Sequence, residues 1–285
     1  MALTWDGTGR PLVIAHRGDA SAAPENTVAA VEAARAAGAD GVEIDVRLSR
    51  DGVPVVVHDL DLARMAGSPE RVGDLPAREL LRRAVRTDRA GAAVREAPVP
   101  TLEAVVAACG ADLLLNLELK AEADTPLREV VRLAGAAAEV MRRSGLEDRA
   151  LVSSFHPLAL VAMRRAWPES RCALIFDRRQ ALPLRSGAAA LLLYPRIAVN
   201  PERRLVSHRF LARWRAVGAR IHPWTVDDPR EMSFFAAVGA DAIITNEPRL
   251  LVQVLAWGAA GWRIAEGQAE CAGPAPVPGA GEAEP

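Results

Sequence analysis

Two short stretches place acidic side chains together on one face of a strand. In Gly41-Val-Glu-Ile-Asp-Val46, a period of two puts Val42, Ile44 and Val46 on one side and Glu43 and Asp45 on the other. Leu115, Leu117 and Leu119 repeat the pattern, leaving Asn116, Glu118 and Lys120 opposite. Either strand alone could lie at a surface with its polar side in water. Inside a closed barrel it could not, because helices cover the outer face of every strand and the polar side must point inward. Unpaired buried charge costs several kcal/mol, so Glu43, Asp45 and Glu118 read as a hard-oxygen site for one divalent cation, Mg2+ or Ca2+. Zinc fits less well, since the only nearby nitrogen ligands are His16 and His58.

Those histidines suit other work. His16-Arg17-Gly18 ends the first apolar run and His58-Asp59 ends a second, and imidazole exchanges protons near neutrality, so a pair can act as acid and base in one turnover. Arg17 offers a planar fork of donors for two phosphate oxygens. Lys120 is the sole lysine among 35 basic residues, which suggests a position that needs an ammonium rather than a guanidinium. With a cation, these groups would neutralise charge building on phosphorus.

Apolar β-rich runs alternate with amphipathic stretches from residue 12 to about 257, the pattern of repeated βα units. Eight strands are predicted, at 12–18, 41–47, 112–119, 150–154, 171–176, 188–194, 220–225 and 241–245, and eight units make a (β/α)8 barrel of the TIM type the economical topology. A doubly wound open sheet is the alternative, but no G-x-G-x-x-G turn follows the first strand. Ser49-Arg50-Asp51-Gly52 reads as a hairpin turn into an extra apolar run, Val53 to His58. The Gly- and Pro-bearing stretch from Leu60 to Pro100 reads as an insertion over one barrel face.

The 285 residues and 50% apolar content suit one barrel domain over 1–260, while the Ala-, Gly- and Pro-rich stretch 261–285 reads as a disordered tail. A formal charge of −1 gives no sign excess for nucleic acid or an anionic membrane. No run approaches the roughly 18 uninterrupted apolar residues of a transmembrane segment. The first residues have neither a basic nor an apolar signal region, so a cytoplasmic location is expected. Cys109, Cys172 and Cys271 match neither a disulfide framework nor a zinc pattern. His156, His208 and His222 fall in no catalytic pattern and read as structural or surface residues.

Taken in order, Ala15-His-Arg-Gly18, Pro24-Glu-Asn-Thr27, Glu43-x-Asp45, His58-Asp59, Pro100-Thr-Leu-Glu103, Glu118-Leu-Lys120, Ser153-Ser-Phe155, Trp224-Thr-Val226 and Ile243-Ile-Thr245 form a specific set. Over residues 12 to about 252 the chain resembles the glycerophosphodiester phosphodiesterases. The resemblance implies a (β/α)8 barrel with an insertion after the second strand, equivalent here to about 59–111. It also implies a metal on Glu43, Asp45 and Glu118, His16 and His58 as acid and base, and Arg17 and Lys120 at the phosphate of a small glycerophosphodiester. Asp19 and Ser21-Ala-Ala23 depart from the family pattern near the mouth and bear on the alcohol leaving group. Trp224 reads either as a wall against substrate carbon or as packing. Three rival readings use the same residues. A barrel aldolase or isomerase would form a Schiff base on Lys120, with the carboxylates relaying protons, but leaves His16, Arg17 and the cation site idle. A non-catalytic phosphate- or polyol-binding barrel has no need of two histidines. A lysophospholipase D-like enzyme would bring a lipidic substrate to the same site.

Overall fold

The computed structural model describes residues 3–6, 9–86, 95–180, 187–193 and 197–261. Strand β1 (Leu12–His16) leads through α1 (Val28–Ala36) to β2 (Gly41–Leu48). Simple alternation then breaks. β3 (Pro54–Val56) folds back antiparallel on β2, followed by β4 (Asp61–Leu62), α2 (Ala63–Ala66), β5 (Ser68–Arg71), α3 (Ala77–Leu80), β6 (Ala84–Arg86) and β7 (Glu96–Pro98). The β4–β5 and β6–β7 pairs are small separate hairpins. Alternation resumes with α4 (Leu102–Cys109), β8 (Leu114–Leu119), α5 (Leu127–Ser144), β9 (Ala150–Ser154), α6 (Pro157–Ala166) and β10 (Arg171–Phe176). It ends with β11 (Ile197–Pro201), α7 (His208–Ala216), β12 (Arg220–Ile221), α8 (Pro229–Ala237), β13 (Ala242–Thr245) and α9 (Pro248–Gly261).

The eight barrel strands run parallel in the order β12-β11-β10-β9-β8-β2-β1-β13. Backbone bonds close the seam between the ends of that path: Asp241 N–H donates to Ile221 O at 3.0 Å, Ile244 N–H to Pro223 O at 3.0 Å and Val226 N–H to Ile244 O at 3.0 Å. This is a (β/α)8 barrel with an insertion after its second strand. The stretch 59–111 holds β4 to β7 with α2 and α3, and also α4, which packs between α1 and α5 as a barrel helix. The Asp51-Gly52 hairpin forms, with Gly52 at φ +84° and Val53 O accepting from Ser49 N–H at 3.0 Å.

One expected strand is misplaced. Ala188–Leu193 forms 3-10 turns, and the sixth barrel strand is Ile197–Pro201, laddered to β10 from Cys172↔Ile197 to Phe176↔Pro201. Alanine and leucine carry no β-branch, whereas Ile197 and Val199 do and alternate across the sheet. The tail beyond residue 261, with Cys271, lies outside the described residues.

Alternation sorts side chains between two cores. Val42, Ile44 and Val46 with Leu115, Leu117 and Leu119 face outward, packed under Val105 of α4 and Val130 and Leu133 of α5. Inside, Trp5 packs with Leu12, Ile14, Leu114, Leu151, Ala173 and Ala198 in a separate cluster, its indole N–H bonded to Arg149 O at 2.9 Å. Above that apolar plug the interior turns polar. Glu43, Asp45, Asn116, Glu118, Ser153 and Asn200 are all buried. Cys109 and Cys172 are buried too, and burial pushes the Cys109 thiol up to about 12, so it behaves as a small apolar residue.

His222 sits inside the barrel, its ring centroid 5.5 Å from that of Trp5 and its Nδ1 3.1 Å from Asn200 Oδ1. Burial pushes its imidazole down to about 4. The unfolded chain then binds the proton more tightly, so the stability it contributes is present above the unfolded value of about 6.5 and is lost as pH falls toward 4. In urea unfolding, wild type relative to His222→Gln is expected to lose about 3 kcal/mol between pH 7 and pH 4. A pH-independent difference would show that His222 keeps an ordinary affinity for the proton.

Candidate active site

His16 is the last residue of β1, and the chain leaves it through two consecutive left-handed residues, Arg17 at φ +58° and Gly18 at φ +79°. Only glycine fits the second position, since a Cβ there would lie 2.6 Å from the Ala30 carbonyl carbon. The conformation of Arg17 costs about 1–2 kcal/mol. It is held by its N–H donating to Glu43 Oε2 at 3.0 Å and by its carbonyl accepting from Asn26 N–H at 2.9 Å. Asn26, also left-handed at φ +60°, clasps β2: its amide donates to Asp45 Oδ2 at 2.8 Å and accepts from Asp45 N–H at 3.0 Å. The Arg17 guanidinium is directed by Glu25 Oε1 at 2.9 Å and Asp45 Oδ2 at 3.2 Å.

Parallel register assembles the acidic cluster. His16 lies opposite Glu43 on one side, and Asp45 lies opposite Glu118 on the other. Ligand atoms of Glu43, Asp45 and Glu118 all fall within 4.8 Å of one another, and all three residues are buried. Burial, then Asp45 and Glu118, push the Glu43 carboxyl well above its ordinary range. Burial raises Glu118 as well, while Asp45 is held below the usual carboxylate range because Lys120, Arg17 and His58 outweigh its burial. Lys120 Nζ donates to Glu118 Oε1 at 2.7 Å and lies 3.5 Å from Asp45 Oδ1. Glu43 Oε1 is buried without a hydrogen-bond partner among the described residues. Crowded carboxyls that disfavour each other's charge, with one oxygen unsatisfied, fit a divalent cation.

His58 follows β3, where the backbone is tied to β2 by Val57 N–H to Asp45 O at 2.9 Å and by Arg47 Nε to His58 O at 2.8 Å. Its Nδ1 donates to Asp59 Oδ1 at 2.7 Å. Arg64, on α2 of the insertion, binds Asp59 Oδ2 at 2.7 Å and Glu25 Oε1 at 2.6 Å, and so joins the His58 side of the site to the Arg17 side. Burial lowers both catalytic candidates, and His16 is pushed down to about 4. His16 Nδ1 lies 2.8 Å from Asn246 Oδ1, and its Nε2 lies 3.8 Å from Glu43 Oε2.

One cavity of about 360 Å³ is lined by His16, Arg17, Glu43, His58, Glu118, Lys120 and Trp224. Of the expected site residues only Asp45 is not in its lining; it is held behind them by Asn26, Arg17 and Lys120. Trp224 and Phe155 meet edge to face at 5.5 Å as an aromatic wall, and the Trp224 indole N–H donates to Asn200 O at 2.8 Å. Lys120 and Phe155 also border a neighbouring cavity of about 390 Å³ with Ala121, Ala123 and Pro157. The structure adds Glu25, Asn26, Asp59, Arg64, Phe155, Asp227 and Asn246 to the neighbourhood of the site. Asn246 carried a legible signal, since it directly follows a barrel strand at the end where such enzymes keep their chemistry.

The sequence matches the Glycerophosphoryl diester phosphodiesterase family over residues 16–250. A glycerophosphodiester phosphodiesterase of Caldanaerobacter subterraneus subsp. tengcongensis is 29% identical over 255 residues, covering 87% of this chain and 99% of that protein. An Oleispira antarctica phosphodiesterase, solved in complex with the product sn-glycerol-3-phosphate, superposes with a TM-score of 0.74 at 26% identity, covering 87% of this chain and 97% of that one. The Thermotoga maritima glycerophosphodiester phosphodiesterase gives a TM-score of 0.67 at 25% identity, covering 85% and 98%. Barrel, insertion, ordered motifs and a likeness over most of the chain agree, and the chain belongs to the glycerophosphoryl diester phosphodiesterase family of phosphoric diester hydrolases.

Proposed function

We propose that this chain hydrolyses glycerophosphodiesters to sn-glycerol 3-phosphate and an alcohol, with His16 and His58 as proton acceptor and donor and with Mg2+ or Ca2+ on Glu43, Asp45 and Glu118. The observation that carries the reading is the convergence of two imidazoles, a guanidinium, an ammonium and a buried acidic cluster on one cavity. Arg17 and Lys120 would hold the non-bridging phosphate oxygens, each already aimed by a carboxylate partner. The aromatic wall of Trp224 and Phe155 would take substrate carbon. A divalent cation on the three carboxylates would supply Lewis-acid stabilisation of charge developing on oxygen.

In the first step, the substrate's 2-hydroxyl oxygen attacks phosphorus and gives its proton to His16. The bond to the alcohol breaks as His58 protonates the departing oxygen, leaving a five-membered cyclic phosphate. In the second step, water attacks phosphorus and gives its proton to His58, while His16 returns its proton to the 2-oxygen. Between the two steps the extra proton sits on His16, and Asp59 suits His58 to carry it between turnovers.

The test incubates the protein with a panel of glycerophosphodiesters and a lysophospholipid in Mg2+, Ca2+ or Mn2+ and measures released glycerol phosphate. EDTA is expected to abolish turnover. Glu43→Gln, Asp45→Asn and Glu118→Gln should each weaken it and also reduce the upward shift of the unfolding midpoint with added metal, which at 100 times Kd corresponds to about 2.7 kcal/mol. Full activity in EDTA, with no metal by elemental analysis, would show that the carboxylates serve another purpose.

A further inference from the structure

We propose that Asp227 and Asn246 are positioning residues that lock His16 in the tautomer carrying its proton on Nδ1, so that Nε2 is bare toward the acidic cluster and ready to accept a proton. The inference deepens the acid-base role proposed above and rests on it.

Donor and acceptor chemistry fixes each link in turn. Asp227 follows the barrel seam, where Val226 N–H bonds to Ile244 O, and its carboxylate can only accept. Oδ1 accepts from the Asn246 backbone N–H at 2.8 Å and from Thr245 Oγ1 at 3.1 Å. Oδ2 lies 2.8 Å from Asn246 Nδ2, which is therefore the NH2 end of that amide. The other end, Oδ1, must then face His16, and it lies 2.8 Å from Nδ1. An amide oxygen also only accepts, so Nδ1 must be the ring nitrogen that bears hydrogen; the opposite tautomer would set two lone pairs against each other at that distance. In the neutral ring Nε2 is left as the acceptor, 3.8 Å from Glu43 Oε2 and on the cavity side. Strand register holds the parts together, since Ala15 of β1 pairs with Thr245, the last residue of β13, and the residues that follow these two are His16 and Asn246.

Asp227 also ties the loop after β12 to β13, so its loss could act through the fold alone. Asp227→Asn separates the two roles because it keeps the shape. Its carbonyl can still accept at the Oδ1 position, but an NH2 at the Oδ2 position would oppose the NH2 of Asn246. The Asn246 amide then turns over, presents Nδ2 to His16 Nδ1, and moves the ring proton to Nε2.

The experiment uses full-length protein in Mg2+, with 15N-labelled histidine, and reads tautomers from long-range 1H–15N correlations. The His16 signal is identified by its disappearance in His16→Gln. Wild type is expected to show the Nδ1–H form and Asp227→Asn the Nε2–H form. In Asp227→Asn, kcat should fall by about 10²- to 10⁴-fold, with KM and unfolding midpoint close to wild type, as expected when an orienting carboxylate is lost. Asn246→Ala, which removes the constraint, should show both tautomers and support the same link should Asp227→Asn not fold. An Nε2–H form of His16 in wild type overturns the proposal, as does an Asp227→Asn enzyme that keeps both the Nδ1–H form and its kcat. If the tautomers behave as described but His16→Gln is fully active, positioning stands and the acid-base role of His16 fails.

Discussion

Alanine at His16 or at His58 is expected to lower kcat by about 10²- to 10⁴-fold, while KM and the unfolding midpoint stay near wild type. Neither imidazole belongs to an apolar cluster, and the turn at Arg17 and Gly18 is held by backbone bonds to Glu43 and Asn26 that alanine at 16 leaves in place. The two lesions differ in one measurable respect. A donor is needed only when the departing alcohol cannot leave as its anion, so a p-nitrophenyl ester of glycerol phosphate should recover most of the activity lost in His58→Ala. It should recover little of that lost in His16→Ala, where the attacking oxygen keeps its proton. Equal recovery in both variants would overturn the assignment of acceptor and donor, and two active alanine variants would remove the histidines from the mechanism.

The acidic cluster was legible because two strands made the same demand. Glu43 and Asp45 alternate with residues that join the outer core, as do Asn116 and Glu118, and a closed barrel has no wet face on which to put the remainder. Parallel register then converted sequence periodicity into proximity, setting Asp45 opposite Glu118. The sixth strand was not legible in the same way. The apolar run Ala188–Leu193 satisfies a hydrophobic count in either 3-10 turns or a strand, and only the ladder of Ile197–Pro201 to β10 and β12 decides between the two runs.

The supporting contacts were not legible, for a different reason. Glu25 and Asp59 stand in the ordered motifs, but no local period reports their link through Arg64 or that of Asp227 through Asn246 to His16, 230 positions from Asn246. Arg64 is the clearest case. It lies in the insertion, outside every motif of the ordered set, yet it holds Asp59 and Glu25 together. The insertion therefore does more than cover a barrel face, because it supplies Asp59, which holds His58, and the arginine that links this pair to Glu25 on the Arg17 side of the site.

A glycerophosphodiester whose 2-hydroxyl is removed or methylated is expected to bind and to resist cleavage, with turnover falling by more than about 10³-fold. In the parent, the 2-hydroxyl is tethered two carbons from the ester oxygen and closes a five-membered ring, so attack gains the effective molarity of an intramolecular reactant, on the order of 10⁵ M or more in well-aligned cases. Two imidazoles are enough to move the protons of such a step. Stereochemistry at phosphorus gives a second reading of the same event. Each in-line displacement inverts the centre, so ring closure followed by ring opening retains configuration, whereas a single attack by water inverts it. A chiral isotopically labelled diester is therefore expected to yield glycerol phosphate of retained configuration. Inversion, together with hydrolysis of the 2-deoxy analogue near the parent rate, would discard the cyclic phosphate and leave water as the direct nucleophile, with His16 as its base.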